Sequence, residues 1–256
     1  MKTGIYSLEG EKKDEMDLPS PFMEEIRPDI IKRAIEAFEA NKKQPYGPSP
    51  EAGMRHATEM EGVGQGMARV QRLTQYGGAR AAESPQTRGG RKAHPPKAEK
   101  DLGKKLNRQA KAKARRSALA AMTDSGIIKN RGHEIEDDTS LEFPIVVEDE
   151  IEDIQKTKEA VDLLENLGIY SDVKRAKEGK NIRSGKGKRR NRKYRNPKSL
   201  LVVMSEGATG KRAFSNLPGV TVKSPKNLTI NDMAPGGSMG RLTLFSVNSI
   251  NELEDW

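Results

Sequence analysis

Four short apolar runs, "FPIVVED", "SLLVVMSE", "GVTVK" and "RLTLFSV", follow one another in the second half of the chain, each separated from the next by a helical or capped segment. Apolar strands spaced by helices predict an α/β body around a parallel sheet. A further strand is expected at "KTGIYSL", near the N-terminus. Next comes a helix within "SPFMEEIRPDIIKRAIEAFEANKKQP", where Ile30, Ile31, Ala34, Ile35 and Phe38 share one face. Pro28 suits its first turn and Pro45 lies just beyond its end. An Ala-rich helix is expected across "KDLGKKLNRQAKAKARRSALAAMTDSG". A long amphipathic helix is expected across "EDEIEDIQKTKEAVDLLENLGI", with Ile151, Ile154, Val161, Leu164 and Leu167 at helical spacing and Gly168 ending it. The tail reads as a short helix at "GKRAFSNL", a capped turn at "LTINDMAPGG", and a closing strand then helix. No internal repeat is present.

Between Gln44 and about Lys100 these patterns stop. The stretch is dense in Gly, Pro, Arg and Gln, and an irregular connection of that length inside a compact domain is either functional or disordered. Run out and back, arms of roughly 28 residues reach at most ~90 Å. A body of about 190 residues has a radius of gyration near ~16 Å. The expected organisation is therefore a three-layer α/β body from residues 1–45 and 101–256, with residues 46–100 projecting as an extended loop.

Charge follows the same division. The net charge is +9, yet Arg55–Arg116 holds 16 Lys and Arg against 5 Asp and Glu, and Lys174–Lys198 holds 13 against 1. Those stretches carry +11 and +12, so the difference between +9 and their combined +23 leaves −14 on the remainder. Two basic limbs on an acidic body point to a polyanionic partner. In "GKGKRRNRKYRNPKSLLVV", seven of the ten side chains from Lys186 to Arg195 are cations, and an apolar strand follows directly. Lys and Arg neutralise phosphates, Tyr194 offers a face for stacking, and Gly185 and Gly187 let the backbone approach closely. A solvated loop or a localisation tag carries such charge too, but a tag needs no rigid frame. In the other segment, Arg69, Arg72, Arg80, Arg88 and Arg91 are spaced among small and polar residues, as suits an irregular RNA surface or a disordered linker.

Signals for chemistry are weak. "GVGQGM" is not the GxGxxG spacing, "SGKGKR" lacks the GxxxxGK[ST] frame, and "GHEIEDD" is not HExxH. His56, His94 and His133 lie far apart and read as structural. Glu148, Asp149, Glu150, Glu152 and Asp153 read as a solvent-facing helix N-terminus. With no cysteine there is no disulfide framework or thiolate zinc site. No apolar run approaches the ~18 residues of a membrane span, and no signal peptide is expected. The reading is a soluble, cytoplasmic chain without cofactor, any Mg²⁺ belonging to the RNA. A nucleotide- or RNA-processing enzyme and a DNA-compacting protein are the alternatives.

Taken together, "GMARVQRLTQYGGARAAESPQTRGGRKAHPPKAEKD", "RSALAAM", "RGHE", "GKGKRRNRKYRNPKSLLVV" and "MAPGGSMGRLTLF" resemble, in order along nearly the whole chain, the family of the fourth large-subunit ribosomal protein of archaeal-eukaryotic type. The length resembles the archaeal form. The resemblance implies a structural protein that binds large-subunit rRNA early in assembly, with a parallel α/β body and a loop that threads through the rRNA. It also implies a loop tip, about Arg72 to Gln86, that lines the polypeptide exit tunnel at a constriction shared with another ribosomal protein. The nascent polypeptide would then meet Arg72, Leu73, Thr74, Gln75, Tyr76, Gly77, Gly78, Ala79 and Arg80. Matching the family pattern as rRNA contacts are Gly66, Arg69, Gly89, Gly90 and Arg91, then Gly185, Gly187, Arg189, Arg190, Arg192, Tyr194 and Arg195. The same surface is expected to include Arg55, Arg72, Arg80, Arg88, Lys92, His94, Lys97, Arg115, Arg116, Lys186, Lys188 and Lys193.

Overall fold

Residues 1–76, 80–135, 141–254 and 256 are described by the computed structural model. They form two compact units, one from Met1–Glu39 with Lys104–Trp256, the other from Ala40–Gly103. In chain order the elements are β1 (Lys2–Tyr6), β2 (Lys12–Asp17), α1 (Pro28–Asn41), β3 (Thr58–Met60) and β4 (Gln71–Leu73). Then come α2 (Arg108–Ala120), α3 (Ser125–Asn130), β5 (Ile145–Val147), α4 (Thr157–Asn166), α5 (Tyr170–Glu178), β6 (Asn181–Ile182) and β7 (Tyr194–Arg195). The chain closes with β8 (Leu201–Val203), α6 (Lys211–Ser215), β9 (Thr221–Lys223), α7 (Ile230–Met233), β10 (Thr243–Ser246) and α8 (Val247–Asn251).

Six strands make the main sheet in the order β2-β1-β5-β10-β8-β9. Only the edge pair β1–β2 is antiparallel; β5, β8, β9 and β10 join in parallel, with Leu201 opposite both Thr243 and Thr221. Side chains alternate across a strand, so consecutive apolar residues supply both faces of a covered sheet. Ile145, Val147, Val202 and Leu244 enter one apolar cluster with Leu163 and Leu164 of α4, Val173 of α5 and Phe214 of α6. Val146, Leu201, Val203 and Phe245 enter the other with Ile31 and Ile35 of α1, Ala118 of α2 and Ile250 of α8. This is the three-layer α/β body with a mostly parallel sheet that the apolar runs predict.

Several boundaries differ from the sequence reading for physical reasons. The segment 149–168 is not one helix: a 3₁₀ turn at Asp149–Asp153 gives way to extended backbone at Ile154 before α4 begins. Ile151 and Ile154 are buried all the same, which is why their spacing imitated a continuous helix. Helix α2 starts at Arg108, where the Asn107 side chain accepts the Gln109 N–H, rather than at Lys100. Strand β2, "KKDEMD", is polar because it is an edge strand with little to bury. Lys174, Arg175 and Lys177, counted in the second basic stretch, lie on α5. The capped turn at "LTINDM" is α7, whose Thr229 and Asp232 form a reciprocal capping box.

Arg241 is fully buried just before β10, a role its sequence context does not announce. Its Nε donates to the Ser199 carbonyl (2.8 Å), and its terminal nitrogens donate to the carbonyls of Asp232 and Leu200 (2.8 and 3.0 Å) and to Thr221 Oγ1 (2.9 Å). The guanidinium thus ties together the segments entering β8, β9 and β10. Burial, and then repulsion from Arg131, pull its pKa down to about 10.

Candidate nucleic-acid interface

The densest cationic run folds into a small hairpin. β6 and β7 pair antiparallel, Asn181 with Arg195 and Ile182 with Tyr194, and the Arg183 N–H donates to the Lys193 carbonyl (2.9 Å). The turn is closed by a 3₁₀ segment at Lys186–Arg189, and the N–H groups of Arg190 and Arg192 both donate to the Gly187 carbonyl at 3.0 Å. Backbone bonds shape the turn, joined by one side-chain bond from Arg183 Nε to the Tyr194 carbonyl (3.2 Å), and the cations from Lys186 to Arg192 are left available for other work. Lys186, Lys188, Arg189, Arg190, Arg192, Lys193 and Arg195 are exposed, and among the described residues none of them forms an ion pair with a carboxylate. Tyr194 keeps 46% of its surface exposed, with the ammonium groups of Lys180 and Lys193 at 4.6 and 5.4 Å from its ring centre. Gly185 has open space on its side-chain face, consistent with close approach of another backbone.

In the second unit, β3 and β4 pair antiparallel, Thr58 opposite Leu73 and Met60 opposite Gln71, and Arg72 also bridges to Ala81. A 3₁₀ turn at Thr74–Tyr76 leads into the tip; Gly77, Gly78 and Ala79 lie outside the described residues. Two arms of the unit touch at Gly53, where a Cβ would meet the Arg91 nitrogen at 2.6 Å. Within the second arm a tight turn brings Gly90 against Ser84, and a Cβ there would meet the Ser84 carbonyl oxygen at 2.0 Å. Gly66 and Gly89 sit at exposed turns. Glu83 is drawn away from solvent, where its carboxylate accepts from Thr58 Oγ1 at 3.0 Å. Arg69, Arg80, Arg88, Arg91, Lys92, His94 and Lys97 are exposed, and these too are without an ion pair among the described residues. Arg55 pairs only with the equally exposed Glu51, at 3.4 Å.

Burial sets these two segments apart from the rest. Among the described residues only Ala40 and Ala82 of Ala40–Gly103 are buried apolar side chains, so the described part of this unit has almost no core of its own. Conversely, Tyr46, Met54, Met60, Val63 and Met67 of the second unit and Ile182 and Tyr194 of the hairpin are exposed large apolar residues, as are Met1 and Met23 near the N-terminus. Unpaired cations interleaved with exposed apolar surface describe faces that lack a counter-surface of opposite charge and stackable rings.

Two of the expected contact residues also serve the body. Arg116 Nε donates to the Trp256 carbonyl at 2.9 Å, and the Arg115 guanidinium lies 5.0 Å from the centre of the Trp256 ring. These half-buried arginines of α2 hold Trp256, a role that charge density does not announce. His133 is buried, as its structural reading expects: Nδ1 lies 3.0 Å from Asp172 Oδ2. Asp172 also accepts from Arg175 Nε (2.9 Å) and the Glu134 N–H (3.2 Å). Burial alone would raise the Asp172 pKa, but His133 and Arg175 outweigh it and hold the carboxyl below its usual range. Glu152 departs from its solvent-facing expectation. It accepts from the Ser205 N–H (2.8 Å) and hydroxyl and from the Ser246 hydroxyl (2.7 Å), bonding the ends of β8 and β10. Among the described residues no cluster of His, Asp and Glu is arranged to hold a metal, and no helix is long and apolar enough to cross a membrane.

The sequence pattern of the Ribosomal protein L4/L1 family matches residues 16–256. The chain belongs to that family. A large ribosomal subunit protein uL4 from Haloquadratum walsbyi is 47% identical over 255 residues, covering 100% of both chains. The uL4 of Methanocaldococcus jannaschii is 46% identical over 256 residues, covering 100% of this chain and 99% of its own. That of Thermoplasma acidophilum is 44% identical over 254 residues, covering 99% and 98%. Membership in the L4/L1 family thus spans the α/β body, the second unit and the basic hairpin alike, and both cationic segments fall inside the matched region.

Proposed function

We propose that this chain is a structural component of the large ribosomal subunit, where it binds rRNA through its two cationic segments. It is a ribosomal protein rather than an enzyme, and its place of work is the cytoplasmic ribosome. The observation that carries the reading of the interface is the set of exposed cations without an ion pair among the described residues, on the Lys186–Arg195 hairpin and at Arg69, Arg80, Arg88, Arg91, Lys92 and Lys97. A surface of that kind gains free energy by displacing the counterions of a polyanion, and the exposed Tyr194, Met60 and Met67 gain by stacking against bases.

The residues from Arg72 to Gln86, including Arg72, Leu73, Thr74, Gln75, Tyr76 and Arg80, form the end of the loop that reaches the exit tunnel and meets the nascent polypeptide. The constriction there is shared with a second ribosomal protein, and the acidic body is left toward solvent or basic neighbours. Support comes from the near absence of buried apolar side chains in Ala40–Gly103, which leaves this unit dependent on an external surface for its packing. Binding to a large-subunit rRNA fragment and to duplex DNA of equal length, at matched salt, tests the reading. Preference for the rRNA is expected; equal affinity for the duplex would indicate a nonspecific polyanion binder.

A further inference from the structure

A cleft of about 610 Å³ opens in the larger unit beside the hairpin, within the ~300–1,000 Å³ range of small-ligand sites. Its walls come from distant parts of the chain: the end of α3, α5, the return strand of the hairpin, and the turn after α7. Arg131, Arg175, Arg195 and Lys198 line it, and among the described residues no carboxylate does. Asp172, bonded to the lining residues His133 and Arg175, is fully buried and shared between them. Ile127, Pro197 and Met239 give the cleft an apolar wall.

Arg131 is the informative residue. Its terminal nitrogens donate to the carbonyls of Met239 (3.3 Å) and Pro235 (3.0 Å), and among the described residues no carboxylate pairs with it. Among the described residues this half-buried guanidinium is held by carbonyls and feels the attraction of Asp172 without pairing with it, so it is oriented but incompletely neutralised, which is costly without a further anion. Burial, and then the neighbouring charge of Arg175, lower its pKa to about 10. The Arg175 side chain is fixed from two sides, by Asp172 and by the Lys198 carbonyl (3.1 Å), so the cationic wall is preorganised. His133 lines the same cleft, and its Nε2 is buried with no hydrogen-bond partner among the described residues.

We propose that this cleft receives one unstacked nucleotide of the bound RNA, its phosphate on Arg131 and Lys198 and its base against Ile127, Pro197 and Met239. The inference rests on the rRNA-binding reading and extends it from the exposed arms into the body. A strand lying along the hairpin meets Arg195 and Asn196 and is led directly into the cleft, because those residues form one wall. A bare phosphate would leave the apolar wall unused, and a stacked duplex could not enter. Splayed nucleotides are the usual way in which proteins read single-stranded RNA.

The test uses the full chain and a large-subunit rRNA fragment carrying 4-thiouridine. Cross-linking should attach one nucleotide to a peptide containing Pro197 or Met239. Arg131→Gln should abolish that cross-link, weaken binding roughly fivefold to eightfold at 0.1 M salt, and flatten the log–log salt slope by about 0.7–0.9, one phosphate's worth. If Arg131→Gln does not fold, Lys198→Ala at the exposed rim serves for the same readouts. The Arg189→Ala, Arg190→Ala, Arg192→Ala variant should keep the cross-link site at reduced yield. Tight RNA binding with no cross-link in the cleft peptides and an unchanged Arg131→Gln slope would overturn the cleft alone. Failure of the unmodified chain to bind rRNA would overturn the wider reading and this inference with it.

Discussion

Replacing Arg189, Arg190 and Arg192 together with Ala probes the hairpin without unfolding it. Only their backbone groups shape the turn; their side chains make no hydrogen bond or ion pair among the described residues. If each guanidinium neutralises one phosphate, counterion release contributes about 0.7 to the log–log salt slope per contact on single strands and about 0.9 on duplex. Three lost contacts therefore reduce the slope by about 2.1–2.7. Since the counterion contribution vanishes near 1 M salt, the variant should bind about 100-fold to 500-fold more weakly at 0.1 M, or ~3–4 kcal/mol, and converge with the parent as salt rises. Fluorescence anisotropy of a labelled rRNA fragment, titrated between 0.1 and 0.5 M KCl at fixed Mg²⁺, measures both quantities. An unchanged slope would remove the hairpin from the interface. A loss of equal size at every salt concentration would show that the arginines act by something other than phosphate neutralisation.

Three other outcomes follow from the packing. Deleting Gly66–Lys92 removes, among the described residues, a single buried apolar side chain, Ala82, so calorimetry should find the unfolding temperature of the body within about 2 °C of the parent; aggregation or a large drop would mean that the strip helps to hold the body together. Asp172→Asn should destabilise the fold at neutral pH. Because the folded pKa of Asp172 is depressed, its contribution is fully present above the ordinary carboxylate value of about 3.9 and is lost as pH falls through the folded value; the two stability curves should converge in acid, and a constant offset at all pH values would refute the electrostatic account. Arg241→Leu strands the carbonyls of Ser199, Leu200 and Asp232, and should cost at least about 3 kcal/mol in urea denaturation; a cost below about 1 kcal/mol would show that the buried guanidinium is not what ties these strands together.

What the chain discloses before folding depends on how local the cause is. β5, β8 and β10 are readable because both faces of each are buried, so three or four apolar residues in a row have no other use. β2 is unreadable for the converse reason, and α5 is hidden because its buried Val173 and Ala176 stand among lysines and arginines. Charge density marks the run that folds into the hairpin, but it gives no hint that Arg115 and Arg116 also hold Trp256, far away in sequence. The cleft is invisible in the sequence. Arg131, Arg175, Lys198 and Met239 are brought together only by the tertiary fold, and no spacing rule connects them.

The central claim is that the two cationic segments are covered by ribosomal RNA in the working cell. Sedimenting native lysate through sucrose at stepwise salt, and measuring the chain in each fraction, tests it most directly. The account predicts one copy travelling with each large subunit and leaving only in concentrated salt, with Arg189, Arg190 and Arg192 protected from arginine-directed modification until release. A chain found mainly at the top of the gradient in low salt, with those arginines open to reagent, would contradict it.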